Sequence, residues 1–208
     1  MRIEGLPDSY RTVAADVLRY CQPDDGLWLD IGSGSGGIGI ELARASNATV
    51  VLVDPNADGL RRAASEAASG GLGGRVLVIA GRVEHLPLRD GVADLVASRG
   101  SIFFWDDPAK GLREVHRALR SGGRAMIGGG LGEGYPKWAR EEFTRRRLSS
   151  LEKQGAEAMA QFERTHNPDT FRQWARRAGL RDFEIAGEGG PAPQPPPARL
   201  GIWLRFAK

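Results

Sequence analysis

An α/β protein with a doubly wound, mostly parallel sheet is what this sequence predicts, on three observations. Strand-like and helix-like segments alternate from residue 11 to about residue 130. A cluster of glycines sits where the first strand turns into its helix. Two further strand-like runs follow a helical stretch near the C-terminus, which brings the strand count to seven.

Residues 11–20 (RTVAADVLRY) have the apolar spacing of a helix, and LWLDI (27–31) is a short apolar run of strand length. Residues 37–46 read as a helix, TVVLVD (49–54) as a strand and 57–69 as an Ala- and Arg-rich helix. RVLVIA (75–80) and ADLVAS (93–98) are strands, 108–119 is a helix, and RAMIG (124–128) is the fifth strand. Asp107 can cap the helix at 108, with Pro108 at its first position, and Gly122 or Gly123 offers a left-handed stop. This βαβ order, with too few units for a barrel, gives a doubly wound sheet. A polar helix is expected from Pro136 to Arg164 and another from Asn167-Pro168 to Gly179. FEIA (183–186) and RLGIWLRFA (199–207) are the last strands, and GGPAPQPPPA (189–198) between them reads as a surface loop.

The 208 residues, 41% hydrophobic, suit one domain with a full core. Within 1–208 we expect an N-terminal helix or lid (1–25), a ligand-binding core (26–130), a helical cap (131–180) and the final two strands (181–208). Cys21 is the lone cysteine, so neither an internal disulfide nor a multi-cysteine metal site is expected, which fits a reducing cytoplasm. MRIEGLPDSY lacks the charged-then-apolar pattern of a signal sequence, and no apolar run is of membrane-crossing length. A net charge of +3 is too small to require a polyanionic partner.

The chemistry concentrates in LDIGSGSGG, residues 29–37. A strand that reverses tightly into a helix needs positive φ, and a ligand approaching the main chain needs the absence of Cβ; glycine supplies both. Read as GxGxG at Gly32, Gly34 and Gly36 after Asp30, the turn fits an S-adenosyl sulfonium. Read as GxGxxG ending at Gly37, it fits a dinucleotide whose pyrophosphate rests on the helix N-terminus. A ligand-free turn is the third reading. Asp54, closing the second strand, can accept hydrogen bonds from both hydroxyls of an adenosine ribose, which either cofactor offers, or can cap the helix that starts near Asn56.

The stretch IAGRVEHLPLRDGVADLVAS (79–98), followed by REVHRALRSGGRAMIG (113–128), resembles the core of class I S-adenosylmethionine-dependent methyltransferases. It is most similar to the small-molecule branch that includes the quinone-biosynthesis C-methyltransferases. The resemblance covers roughly 26–130 and implies a Rossmann-like sheet with an antiparallel edge hairpin, a helical insertion after the fifth strand, and S-adenosylmethionine as cofactor, released as S-adenosylhomocysteine. It implies that Asp30, Gly32, Ser33 and Gly34 hold the methionine end, with Gly36 completing the turn. Asp54 and Pro55 would meet the ribose, and Ser98 and Arg99 would end the fourth strand beside the ligand.

Where the family often has Gly-Asp-Ala, this chain has Gly81-Arg82-Val83. An arginine has only donors and cannot accept from the adenine amine, although its planar guanidinium can stack on the ring. The Val83 amide can donate to the base and Glu84 can supply the acceptor; the other reading of Arg82 is a solvent-facing side chain.

Phe103, Phe104 and Trp105 follow in succession, too many large rings for one core, so at least one is expected in the cleft. Tyr10 can close over the cofactor or pack on the sheet, and Tyr135 and Trp138 are candidate substrate walls or surface residues. His116 reads as a solvated helix residue, His85 lies beside the adenine region, and His166, before the Asn-Pro helix start, is within reach of the cleft; none is assigned as a base. In-line methyl transfer depends chiefly on positioning and makes a base optional. Arg145-Arg146-Arg147, interleaved with glutamates, reads as a solvated helix face. SRGS at 98–101 is not the Asp/Asn-Pro-Pro-aromatic motif of enzymes that methylate nucleobase amines. The expected partner is a small molecule, with no nucleic acid, membrane or metal.

Overall fold

A computed structural model describes residues 4–187, 190–191 and 201–208. Among them, eight strands form one sheet: β1 (Leu27–Ile31), β2 (Thr49–Asp54), β3 (Val76–Ala80), β4 (Ala93–Arg99), β5 (Leu119–Gly129), β6 (Phe183–Gly187), β7 (Gly190–Pro191) and β8 (Ile202–Ala207). Their order is β3-β2-β1-β4-β5-β8-β6-β7. The first five pair in parallel, and β8, β6 and the two-residue β7 add antiparallel pairs, so the expected antiparallel edge is present. The sheet has the seven expected strands plus β7 at its rim. Apart from Gly190 and Pro191, the proline-rich connection at 189–198 lies outside the described residues, as do the first two residues of the run expected from 199.

Among the described residues there are seven α-helices: α1 (Tyr10–Cys21), α2 (Gly37–Arg44), α3 (Ala57–Ser69), α4 (Pro108–Ala118), α5 (Lys137–Gln154), α6 (Ala156–Thr165) and α7 (Pro168–Arg177). Parallel strands covered on both faces read as unbroken apolar runs. Val50, Val51, Leu52 and Val53 of β2 are all essentially buried, alternating between the two halves of the core. One half lies under α4 and α7 around Leu112 and Phe171; the other lies under α1, α2 and α3 around Trp28 and Leu52. Each such aliphatic side chain contributes about 1.5–3 kcal/mol on burial. Among the described residues, no helix is long and apolar enough to cross a membrane.

Two expectations are corrected. The helix at 108 begins as read, with the Asp107 carboxylate accepting from the Lys110 amide at 3.0 Å. It does not run on to a glycine stop, because Leu119 is extended, fully buried and paired with Ala93 of β4. Burying Leu119 in the sheet outweighs another helical turn, and Gly122 instead takes φ +77° inside an irregular stretch of β5. The expected helix from Pro136 to Arg164 is two helices. They meet at Gly155, whose φ of +97° lets the chain turn between α5 and α6.

Candidate functional site

The C-terminal ends of β1, β2, β3, β4 and β5 open into one cleft of about 720 Å³, within the range of small-molecule sites. It straddles β1 and β4, where the strand order reverses and open α/β sheets bind their ligands. The sheet forms its floor, and α5 and α6 form the opposite wall.

The glycine turn forms one end. Gly32 has φ +67°, and a Cβ there would collide with the Ser101 side chain, so only glycine fits. The Ser101 hydroxyl donates to the Ile31 carbonyl at 3.0 Å, which leaves it to accept from Trp105 Nε1 at 3.0 Å and from Ser98. Ser98 is thereby fully buried behind the wall, as a strut rather than a lining residue. Sequence reasoning missed Ser101; its signal was the serine pair three residues apart at a strand end.

Asp54 lines the cleft. One carboxylate oxygen accepts from the Gly34 amide and the other from the Asn56 amide, each at 2.8 Å. A carboxylate has about four acceptor sites, so Asp54 fixes the turn and retains capacity for ligand hydroxyls. The helix cap is Asn56 itself, which accepts from the amides of Asp58 and Gly59. Asp30 lies behind the turn, 1% exposed and outside the cleft lining, and accepts from the Gly39 amide at 3.0 Å. Burial pushes its carboxyl up to about 7. From there a ligand at the turn is reached only through the intervening chain or water.

The other end holds Arg82, Val83 and Glu84. Arg82 is half-exposed and paired with Asp106, and the buried Glu84 accepts from the Asp106 amide at 2.9 Å. The three residues close this end as a linked group. Arg99 also lines the cleft while bracing it: its Nε donates to the Gly130 carbonyl and its Nη2 to Ser9, both at 2.8 Å. Burial holds its pKa below the usual arginine range.

The three successive aromatics diverge, and all line the cleft. Phe103 stacks on His166, Phe104 is 83% exposed, and Trp105 packs on Gly111 of α4. Tyr10 does not line the cleft; it covers Gly37 and lies beneath the Arg99 guanidinium, 5.1 Å from its ring centroid. Tyr135 and Trp138 are not cleft walls. Tyr135 is buried against Leu131 and Ala139 and donates to the Pro7 carbonyl at 2.9 Å, while Trp138 is 58% exposed.

Most of the cap wall escaped sequence reasoning. Phe143, Arg147, Leu151 and Gln154 line it from α5, and Phe162, Thr165 and His166 line it from α6 and its end. Their signal was spacing: residues three and four apart share one face of a helix. The arginine run divides on the same rule. Arg145 and Arg146 pair with Glu142 on the outer face, whereas Arg147 turns to the cleft, 5.6 Å from the Phe162 ring.

Residues 29–127 match the family model described as a methyltransferase domain. A protein of Methanococcus maripaludis, assigned to the S-adenosylmethionine-dependent methyltransferases, is 28% identical, covers 96% of this chain and 85% of its own, and superposes with a TM-score of 0.78. Residues 29–127 thus form a methyltransferase domain, and the fold as a whole is similar to that of an S-adenosylmethionine-dependent methyltransferase. A methyltransferase of rice for 2-methyl-6-phytyl-1,4-hydroquinone is 28% identical over 158 residues, 76% of this chain and 42% of that one. A malonyl-[acyl-carrier protein] O-methyltransferase of Geobacter sulfurreducens is 34% identical over 172 residues, 77% of this chain and 57% of that one. The chain thus spans about half the length of these curated relatives or less. These matches take the glycine turn away from the dinucleotide reading and make S-adenosylmethionine its cofactor.

The residues of this methyltransferase domain fit that cofactor. Ser33 Oγ is buried in the turn without a hydrogen-bond partner among the described residues. Nothing lies within 4 Å of where a Cβ on Gly34 would stand, so the main chain of the turn is open to a ligand there, with the orphaned Ser33 hydroxyl buried next to it.

Proposed function

We propose that this domain transfers a methyl group from S-adenosylmethionine to a small, planar aromatic acceptor. The observation that carries the reading is one continuous cleft with Gly32 of the glycine turn and Asp54 on its sheet side and phenylalanines on its opposite wall. When bound, the cofactor supplies a methyl group activated on a sulfonium sulfur. Ser33 and the turn would hold its methionine end, Asp54 its ribose hydroxyls, and Val83 with Arg82 its adenine. Phe104 and Phe143 would flank a planar acceptor beside the Phe103–His166–Phe162 stack and keep water from it. The hydroquinone named for the rice relative is such an acceptor. The lone, buried Cys21, whose thiol burial pushes up to about 12, is consistent with a reducing, cytoplasmic setting.

The test is incubation of the purified protein with methyl-labelled S-adenosylmethionine and a panel of phenols, hydroquinones and amines, read by mass spectrometry. Labelled product from the aromatic hydroxyl compounds is expected, and product from aliphatic amines alone would contradict the acceptor class. Arg82, where the family often has an acid, favours one second reading, a catalytically silent binder of the cofactor. That reading expects S-adenosylhomocysteine binding with no labelled product from the panel.

A further inference from the structure

We infer that His166 is the proton acceptor for the methyl-accepting substrate, and that this cleft serves acceptors that lose a proton on methylation, a ring hydroxyl or ring carbon rather than a tertiary amine. The inference rests on the methyl-transfer reading above.

Three constraints converge on this side chain. Its ring is clamped between Phe103, 4.1 Å away and tilted 12°, and Phe162, 4.0 Å away and tilted 27°. Its Nδ1 lies 3.0 Å from the Phe162 carbonyl oxygen, which can only accept, so Nδ1 carries the hydrogen. In the neutral ring the lone pair therefore sits on Nε2. That atom has no hydrogen-bond partner among the described residues, and the residue lines the cleft.

The ring's place relative to the cofactor turn follows from Phe103. Phe103 packs against Gly129 at the end of β5, beside Gly100 and Ser101, and Ser101 is the side chain that bars a Cβ on Gly32. One aromatic ring thus separates His166 from the ends of β4 and β5, and Ser101 links that region to the glycine turn.

The surroundings keep the ring neutral. Burial lowers its pKa to about 4 against the Phe162 carbonyl hydrogen bond, which raises it, and Arg147 on α5, the charged group that acts on it, pushes the same way as burial. Phe103 and Phe162 bring no charge, and Thr165, 3.1 Å from Nδ1, is a neutral hydroxyl. Weak basicity is sufficient here. As the acceptor's electron pair forms the new bond to the methyl carbon, its O–H or ring C–H becomes strongly acidic. The carbon–sulfur pair returns to sulfur, leaving a thioether, and the proton passes to the Nε2 lone pair. The resulting imidazolium keeps its Nδ1–H on the Phe162 carbonyl.

Two measurements test this. In protein labelled with 15N-histidine and saturated with S-adenosylhomocysteine, nitrogen NMR is expected to find His166 neutral, with its proton on Nδ1, down to about pH 5. Adding hydroquinone or another phenol of the panel should shift the Nε2 resonance, and trimethylamine should not. A proton on Nε2, or an Nε2 resonance unmoved by every phenol, overturns the inference. For turnover of a phenol or hydroquinone, His166→Gln should lose about a hundredfold or more in kcat, gain a rate that rises with pH, and keep its affinity for S-adenosylhomocysteine. Added imidazole should restore part of the activity of His166→Ala. A His166→Gln variant within about threefold of wild type, with a flat pH profile, overturns the inference, as does a wild-type protein that methylates tertiary amines alone. Failure of the wild type to bind S-adenosylhomocysteine would be a separate result, against the proposed function itself.

Discussion

At the scale of single residues, Gly32 and Asp30 show how the turn is built and how it should fail. Gly32 combines φ +67° with contact against Ser101, so Gly32→Ala introduces both a left-handed non-glycine residue and a collision. We expect a loss of about 1–3 kcal/mol in urea denaturation, with at least a tenfold weaker S-adenosylhomocysteine complex. Wild-type stability in that variant would contradict the turn's geometry. Asp30 makes a statement about pH. Its folded carboxyl is raised to about 7, against about 3.9 in an unfolded chain, so between those values the native state holds a proton that the unfolded state has released. Its contribution is present at low pH and is lost as pH rises through that window. The stability of Asp30→Asn minus that of wild type should therefore climb from pH 4 to pH 7, and a difference constant over that range would refute the assignment. The glycines, Asp54 and the Gly81-Arg82-Val83 departure were legible in the sequence because their chemistry depends on residue type and spacing. Of the two readings open for Tyr135 and Trp138, cleft wall or surface, Trp138 takes the surface one, while Tyr135 takes neither and is buried in a small core, which only the path of residues 131–137 decides.

At the scale of elements, the helix starts at Asp107 and Asn167 were legible, the capping role of Asn56 was not told apart from Asp54, and helix ends were less legible still. Asn56, Asp107 and Asn167 each precede a helix and accept from its first free amides. Asn56→Ala should cost about 1 kcal/mol in urea denaturation without unpairing Asp54, which uses the Asn56 backbone amide. The switch from α4 to β5 at Leu119 was not legible, since Gly122 and Gly123 carry a strong local stop signal and the pairing of Leu119 with Ala93 is long-range. The cap helices hid their function for a similar reason. The polar composition of α5 reads as solvated all round, yet Phe143, Arg147 and Leu151 recur every four residues along one face and line the cleft. His166 stands four residues after Phe162, a pairing that a helix stacks.

At the scale of the whole molecule, the strand order does the positioning. Reversal between β1 and β4 opens the cleft, and the antiparallel β8 and β6 extend the sheet beyond β5. The segment after β5 crosses back over α1, where Thr12 donates to the Leu131 carbonyl, the Asp16 carboxylate accepts from the Glu133 amide at 2.8 Å, and Tyr20 and Arg19 hold the Glu133 carboxylate. Those contacts fix the root from which α5 and α6 reach over the cleft, so the substrate wall is anchored to the same scaffold as the cofactor turn. The central claim is that the glycine turn and Asp54 bind an S-adenosyl ligand, and titration calorimetry with S-adenosylhomocysteine and with NAD tests it most directly. Saturable binding of S-adenosylhomocysteine alone, weakened about tenfold or more in Asp54→Ala through loss of charge-assisted hydrogen bonds, is the expected result. Binding of NAD in its place, or an Asp54→Ala variant with undiminished affinity, would contradict it.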